Sequence, residues 1–434
     1  MTAARLTPHS PTTTAGPTRR LGFRFRSVVV GLAVTLTAGL TTGAGTASAE
    51  VTVPAPPAGT SYPEISTLGT SPFKAAEESA AGMKTAMMEI SWRNWEPQNG
   101  VFNATYENEM KWRLAQLRAS GMKVTLGLGL HFTPEWVRSM PNGRLVDQNG
   151  KVSNEANFIY NDKIRSEGWQ FLQRVAKVLD MSQIDAIRIT SGGRAELIYP
   201  EGTTYWAFDA NAQNGDDLPR TVGPNPYPGW KPGTPGLQPA QTQQWALWYV
   251  DALADVGEWQ MRAMRKLNFT GTFEIMTPGV GVYARKLDVL ARQNLPASPL
   301  AVGALWDRIY FDMYHADKKI AANVSSMADG SGGNDSCTPA DKNVPLTDMA
   351  VTTWGGARWI SRIADEYGIP KVGENPGFSE PKRGVYSSRN QDGYMATTMR
   401  QGATCGFSTV YWAHDNQFWN GTLDFATWAA YARA

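Results

Sequence analysis

Apolar residues along the chain fall into two alternating rhythms. Short apolar segments at 65–69, 85–91, 123–130, 186–191, 272–277, 308–314, 371–374 and 407–412 read as strands. Between most of them lie longer amphipathic stretches, at 106–120, 162–179, 242–267, 350–367 and 392–401, which read as helices. Gly121, Asn268, Gly368 and Gly402 stand where several of these helices should stop, because glycine and asparagine enter the left-handed backbone region at least cost. Strand segments interleaved with helices in this way predict an α/β chain folded as a (β/α)8 TIM barrel, a single domain over 61–434. The stretch from Tyr199 to Pro239 breaks the rhythm with its Pro, Gly and Asn. A loop of that length in a compact domain is usually functional. Its place directly after the fourth strand predicts a roof over a substrate groove.

The first 60 residues do not belong to this pattern. Arg19, Arg20, Arg24 and Arg26 precede an apolar run from Val28 to Leu40, and Ala47-Ser-Ala follows it. Charge, apolar core and small-residue cleavage site in that order read as a secretory signal peptide over 1–49. An uncleaved membrane anchor is the alternative, although the run is short for a span. Arg19-Arg20 also fits a twin-arginine signal, so the export route stays open. Residues 50–60, rich in Pro, read as an extended leader.

Charge changes meaning once the signal is set aside. The whole chain carries 41 basic and 39 acidic residues, a net of +2. Without 1–49 and its five arginines, 36 basic face 39 acidic residues, a net of −3. Nothing in that balance points to nucleic acid, or to a membrane after signal removal. Cys337 and Cys405 are the only cysteines, and an exported protein could join them in a disulfide or keep two buried thiols.

Two carboxylates end two of the predicted strands. Glu374 sits in Pro-Lys-Val-Gly-Glu-Asn-Pro-Gly (370–377), where a short apolar segment ends, and Glu196 closes a similar segment, 184–196, after the fourth strand. Strand ends of a parallel barrel converge on one mouth, so the fourth and seventh strands would set these groups on opposite walls. That is the arrangement glycoside hydrolysis uses: one carboxyl protonates the leaving oxygen, and the other attacks the anomeric carbon or activates water. A gap of ~5–5.5 Å gives retention and ~6.5–9.5 Å inversion. The competing reading for Glu196 is a plain salt bridge to Arg188 or Arg194.

Several strings carry a family resemblance. Glu89-Ile-Ser-Trp-Arg-Asn-Trp-Glu-Pro, Gly121-Met-Lys-Val-Thr-Leu-Gly-Leu and Thr133-Pro-Glu-Trp-Val resemble the early barrel of the glycoside hydrolase family 42 β-galactosidases. Gly373-Glu-Asn-Pro-Gly resembles the nucleophile segment of that family, and Gly406-Phe-Ser-Thr-Val-Tyr-Trp its eighth strand. The resemblance implies Glu374 as nucleophile and Glu196 as acid/base. It departs at Ala195, where the wider clan carries asparagine. Ala195-Glu-Leu-Ile-Tyr-Pro is more similar to the acid segment of the β-amylases, which invert.

Further residues follow from position. His131 trails the third strand, and Arg93 and Trp95 follow the second, while Trp92 could equally pack in the core. Tyr314 would end the sixth strand, with Tyr310 competing for the same role. Trp412 would end the eighth and offer an aromatic face to a sugar ring, with His414 and Asp415 just beyond. A carbohydrate is therefore the expected partner. No cofactor is implied, and the scattered histidines give no metal-ligand spacing. The run 329–337 could hold calcium or simply be a solvated loop tethered by Cys337. Asn103, Asn268, Asn323 and Asn420 each head an Asn-x-Ser/Thr sequon.

Overall fold

The computed structural model describes residues 51–328, 336–375 and 393–434. The signal segment, Glu50, most of the candidate calcium run and the stretch after Asn375 lie outside the described residues. Strands β1 (Glu64–Thr67), β2 (Thr85–Glu89), β3 (Lys123–Gly127), β6 (Ala186–Ile189), β7 (Thr272–Thr277), β8 (Ile320–Val324), β9 (Lys371–Glu374) and β10 (Thr409–Trp412) close a barrel. Its order is β1-β10-β9-β8-β7-β6-β3-β2, and every pair is parallel. The fold is therefore a (β/α)8 barrel. Between β3 and β6 the chain adds an antiparallel hairpin of β4 (Arg144–Val146) and β5 (Val152–Ala156), which the sequence rhythm did not reveal.

Local chemistry explains most element limits. Asn161 caps the helix Asp162–Val178 by accepting from the N–H groups of Lys163 and Ile164. The helix Gly356–Tyr367 ends at Gly368 with φ 62°, a left-handed cap that glycine adopts without strain. The long helix Pro239–Lys266 lays Trp245, Tyr249, Leu253 and Val256 against the barrel. Arg165 and Asp255, both buried, join it to the helix Asp162–Val178 through a 2.5 Å ion pair.

One strand was misplaced by the sequence reading. Residues 308–314 are not the sixth strand; they belong to the helix Trp306–Ala316. Its buried residues are Trp306, Ile309, Tyr310 and Met313, a helical spacing that a run of large apolar side chains disguised. The strand itself is Ile320–Val324, with two alanines and an inward polar Asn323. Asn323 is fully buried, which excludes its sequon from modification in the folded chain.

The leader residues 51–60 form no helix or strand, and Tyr62 holds them by donating to Pro54 O at 2.8 Å. The long loop is no loose flap. Tyr199 stacks on Tyr249 at 4.0 Å between centroids, and Tyr249 Oη accepts from Trp206 N–H and donates to Ala301 O. These buried phenols anchor the loop on the helix Pro239–Lys266 rather than over open solvent. Cys337 and Cys405 form a disulfide. Among the described residues no helix is long and apolar enough to cross a membrane.

Candidate active site

The carboxyl ends of the barrel strands bring ionisable groups together from β2, β3, β6 and β9 and the turns that follow them. Glu374 is the last residue of β9, and its backbone is fixed by Met327 N–H on Glu374 O at 3.0 Å. Glu196 arrives differently. After β6 the chain turns back on itself, with Ser191 N–H donating to Glu196 O at 2.9 Å and Leu197 N–H to Met276 O at 3.0 Å. Those two bonds hold the half-buried Glu196 against the ends of β7 and β8, where Ser325 Oγ donates to its Oε1.

Arg188 sits between the acids. Its Nη2 donates to Glu374 Oε2 at 2.5 Å, and its Nε lies 2.9 Å from Met276 Sδ. Burial opposes the guanidinium charge, but Glu374, Glu89 and Glu274 more than offset it and raise its pKa. Burial lifts Glu374 above the usual carboxylate range; Arg188 works against that rise, and the negative charge of Glu196 adds to it. Glu196 and Glu374 are thus close enough to feel one another. The simple salt-bridge reading of Glu196 does not hold: Arg188 pairs with Glu374, and Arg194 pairs with Glu155 at 2.8 Å and with Glu201.

Glu89 is a third mouth carboxyl that the sequence reading passed over. It is the last residue of β2, and burial, opposed by Arg188 and reinforced by Glu374, lifts it to about 7. The predicted second strand ran on to Ser91 and so hid Glu89 inside it, whereas the structure ends the strand at the acid. Gly127 makes room for it, because a Cβ there would lie 2.8 Å from Glu89 Oε1. His131 Nε2 is 3.5 Å from Glu89 Oε1. Burial and the charges of Arg188 and Arg93 lower His131 to about 4, so the ring is neutral at ordinary pH. Arg93 is exposed at the same rim, its guanidinium 5.5 Å above the Phe132 ring. His414, at φ 62°, is exposed in the loop after β10.

Beneath the mouth lies a polar layer inside the barrel. Glu274 accepts from Asn323 Nδ2 at 2.9 Å and from Thr125 Oγ1 and Tyr411 Oη at 3.2 Å each. Burial raises Glu274, with Arg188 the main opposing charge. The layer supports Arg188 from below, as its carboxylate is the third one that the guanidinium feels.

Three predicted substrate contacts lie elsewhere. Trp95 is fully buried and donates through Nε1 to Glu107 Oε1 at 2.9 Å, so it anchors a helix. Trp412 is also buried, packed on Trp428 at 5.1 Å between centroids. Alternation along β10 turns Tyr411 into the barrel and Trp412 out toward the helices. Tyr314 lies on the outer helix Trp306–Ala316, with Lys318 Nζ 3.6 Å above its ring. Tyr310 is buried and its hydroxyl meets Thr277 Oγ1 at 2.6 Å. Both tyrosines lost their expected place when the sixth strand moved to 320–324. No cluster of His, Cys, Asp and Glu able to hold a metal ion occurs among the described residues.

A closed barrel of eight parallel strands is a fold that many solved structures share. The catalytic domain of β-amylase from Paenibacillus polymyxa superimposes with a TM-score of 0.52 at 15% identity, over 80% of this chain and 91% of that one. A β-galactosidase from the psychrophilic Marinomonas ef1 gives 0.49 at 13% identity, over 80% of this chain and 53% of that one. An endo-1,4-β-D-mannanase from Thermotoga petrophila RKU-1 gives 0.47 at 12%, over 81% and 88%. These neighbours are glycoside hydrolases, and at such identity the likeness concerns the fold. No family model matches the chain, and no curated protein sequence matches it.

Proposed function

We propose that this chain is an exported glycoside hydrolase that cleaves a β-linked sugar or polysaccharide with retention, using Glu374 as nucleophile and Glu196 as acid/base. The observation that carries this reading is the meeting of these two carboxyls in one mouth, each with a different partner. Arg188 gives Glu374 a full positive charge, which favours the carboxylate a nucleophile needs. Among the described residues Glu196 pairs with no cation and accepts from the neutral Ser325 hydroxyl. In the first step Glu374 forms a bond to the anomeric carbon while Glu196 protonates the departing oxygen. In the second, Glu196 takes a proton from water, whose oxygen displaces Glu374 and frees the sugar. On this reading His131, Glu89 and Arg93, gathered at the same mouth, bond sugar hydroxyls.

The test is a hydrolysis screen of the protein on aryl glycosides and on plant and microbial polysaccharides, with Glu196→Gln and Glu374→Gln beside it. Loss of about 10³-fold or more in kcat for both variants, on a substrate the parent cleaves, is expected for groups that act in the transition state. Near-normal turnover by Glu374→Gln would sink the assignment. Binding without turnover on every substrate would favour a non-catalytic carbohydrate-binding barrel. An inverting glucan hydrolase is the second reading, motivated by Ala195 and the β-amylase-like segment around Glu196. Early product anomers seen by NMR separate the two. Export through 1–49 predicts a secreted protein whose N-terminal residue is Glu50.

A further inference from the structure

Loops that follow β1 and β10, together with the helix Ala104–Ala119, border an open concavity of about 520 Å³ that neither Glu196 nor Glu374 lines. Its wall is aromatic and open. Phe73 and half-buried Trp419 line it, Phe73 81% exposed, and Trp112, 39% exposed, extends the apolar surface just outside the lining with its ring 5.0 Å from that of Phe73. Large apolar rings left exposed side by side call for an occupant.

The polar edge of the site says which occupant. Exposed Asn416 and Asn420 border it with amides, and its two cations are already balanced, Lys74 by Glu77 and Arg113 by Glu109, both at 2.9 Å. With both cations paired and the Asp415 carboxylate also in the lining, the site carries no excess positive charge and does not select a phosphate, a nucleic acid or an acidic peptide. Flat aromatic faces with amide donors and acceptors beside them suit a neutral pyranose, whose C–H face lies on a ring while its hydroxyls reach the edge. The volume falls within the range of small-molecule sites.

The platform is also held ready. Asp415, buried, accepts from Trp419 Nε1 at 2.8 Å and from Ser71 N–H at 3.0 Å, tying the two loops together. Lys74 Nζ lies 4.4 Å above the Trp419 ring. Trp419, fixed in this way, loses little freedom on binding.

We infer that this concavity is a second carbohydrate site, taking a neutral polysaccharide whose chain can be held beside the end of the barrel that bears the two glutamates. Its ligand class rests on the glycosidase reading above, but its existence can be tested apart from catalysis. Electrophoresis of Glu374→Gln through gels containing hydroxyethylcellulose, galactomannan or soluble starch gives a retardation for each polymer. The double change Phe73→Ala with Trp112→Ala, made in the same background, should weaken retardation by about fivefold or more in the polymer that retards the parent. Replacing Phe73 by Trp should preserve it. Both altered side chains are exposed, and circular dichroism checks that the fold is kept.

In the active enzyme, the double change should lower turnover on that polymer while leaving small aryl glycosides cleaved as before. Retardation unaffected by the double change, or a parent that ignores all three polymers, overturns the inference and leaves the patch to a protein partner. Platform-dependent retardation in a protein that cleaves no substrate would keep the second site and sink the catalytic reading instead.

Discussion

Replacing Glu78 by glutamine tests a buried proton. Glu78 lies in the helix Ala75–Ala80, fully inaccessible to solvent, with Oε2 accepting from Thr67 Oγ1 at 2.8 Å. Its Oε1 makes no hydrogen bond, while Asp415 beside it already accepts from Ser71 and Trp419. Two carboxylates cannot bond through a pair of acceptors, so one must carry a proton. Burial first, then the hydrogen bond and charge of Asp415, lift Glu78 from 4.5 to about 9. Between those two pH values the folded chain holds a proton that the unfolded chain releases, so stability falls as pH rises across the window. Each pH unit costs about 1.4 kcal/mol, which amounts to about 3 kcal/mol between pH 4.5 and neutrality.

Glutamine supplies the donor permanently and keeps the acceptor for Thr67. The variant should therefore match the parent near pH 4.5 and exceed it at pH 7 by about 2–3 kcal/mol. Urea unfolding at both pH values, with the slope m checked for constancy, gives the difference directly. A stability gain of the same size at both pH values would refute the shared proton. Glu78→Ala, which removes the donor as well, should destabilise at both.

Arg188→Met strips the counter-charge from Glu374, Glu89 and Glu274 together; it should cost about 3–5 kcal/mol at neutral pH and less near pH 5, where raised carboxyls take up protons, and urea unfolding reads both values. Gly127→Ala puts a methyl 2.8 Å from Glu89 Oε1 and 2.9 Å from Met87 Cε, so kcat/KM should fall several-fold, about 1 kcal/mol in the barrier, with the fold retained by circular dichroism. Opening the Cys337–Cys405 bond by Cys→Ala changes at both positions frees a 68-residue loop and should cost about 4 kcal/mol on the loop-entropy account, measured by urea unfolding against the oxidised parent.

The alternation of short apolar segments with amphipathic ones was enough to determine the barrel, because each rhythm is set locally by the periods of strand and helix. It also placed Glu374 at a strand end and Glu196 beyond one, since chain order alone decides which strands they follow. Residues 308–314 show the limit of that logic. Their apolar density suited either element, and only packing against the barrel selected the helix. Trp412 and Tyr411 show another. Adjacent on one strand, they must face opposite ways, and barrel closure decided which enters the interior. Arg188 could have neutralised Glu196 from sequence alone; the geometry of the mouth gave it to Glu374. Glu78 and Asp415, and the rings of Phe73, Trp112 and Trp419, come from segments that sequence treats as unrelated. Periodicity is a property of neighbours along the chain, and the sequence determined it. Partnership depends on distances of a few ångströms between remote segments, and only the closed tertiary structure decided those.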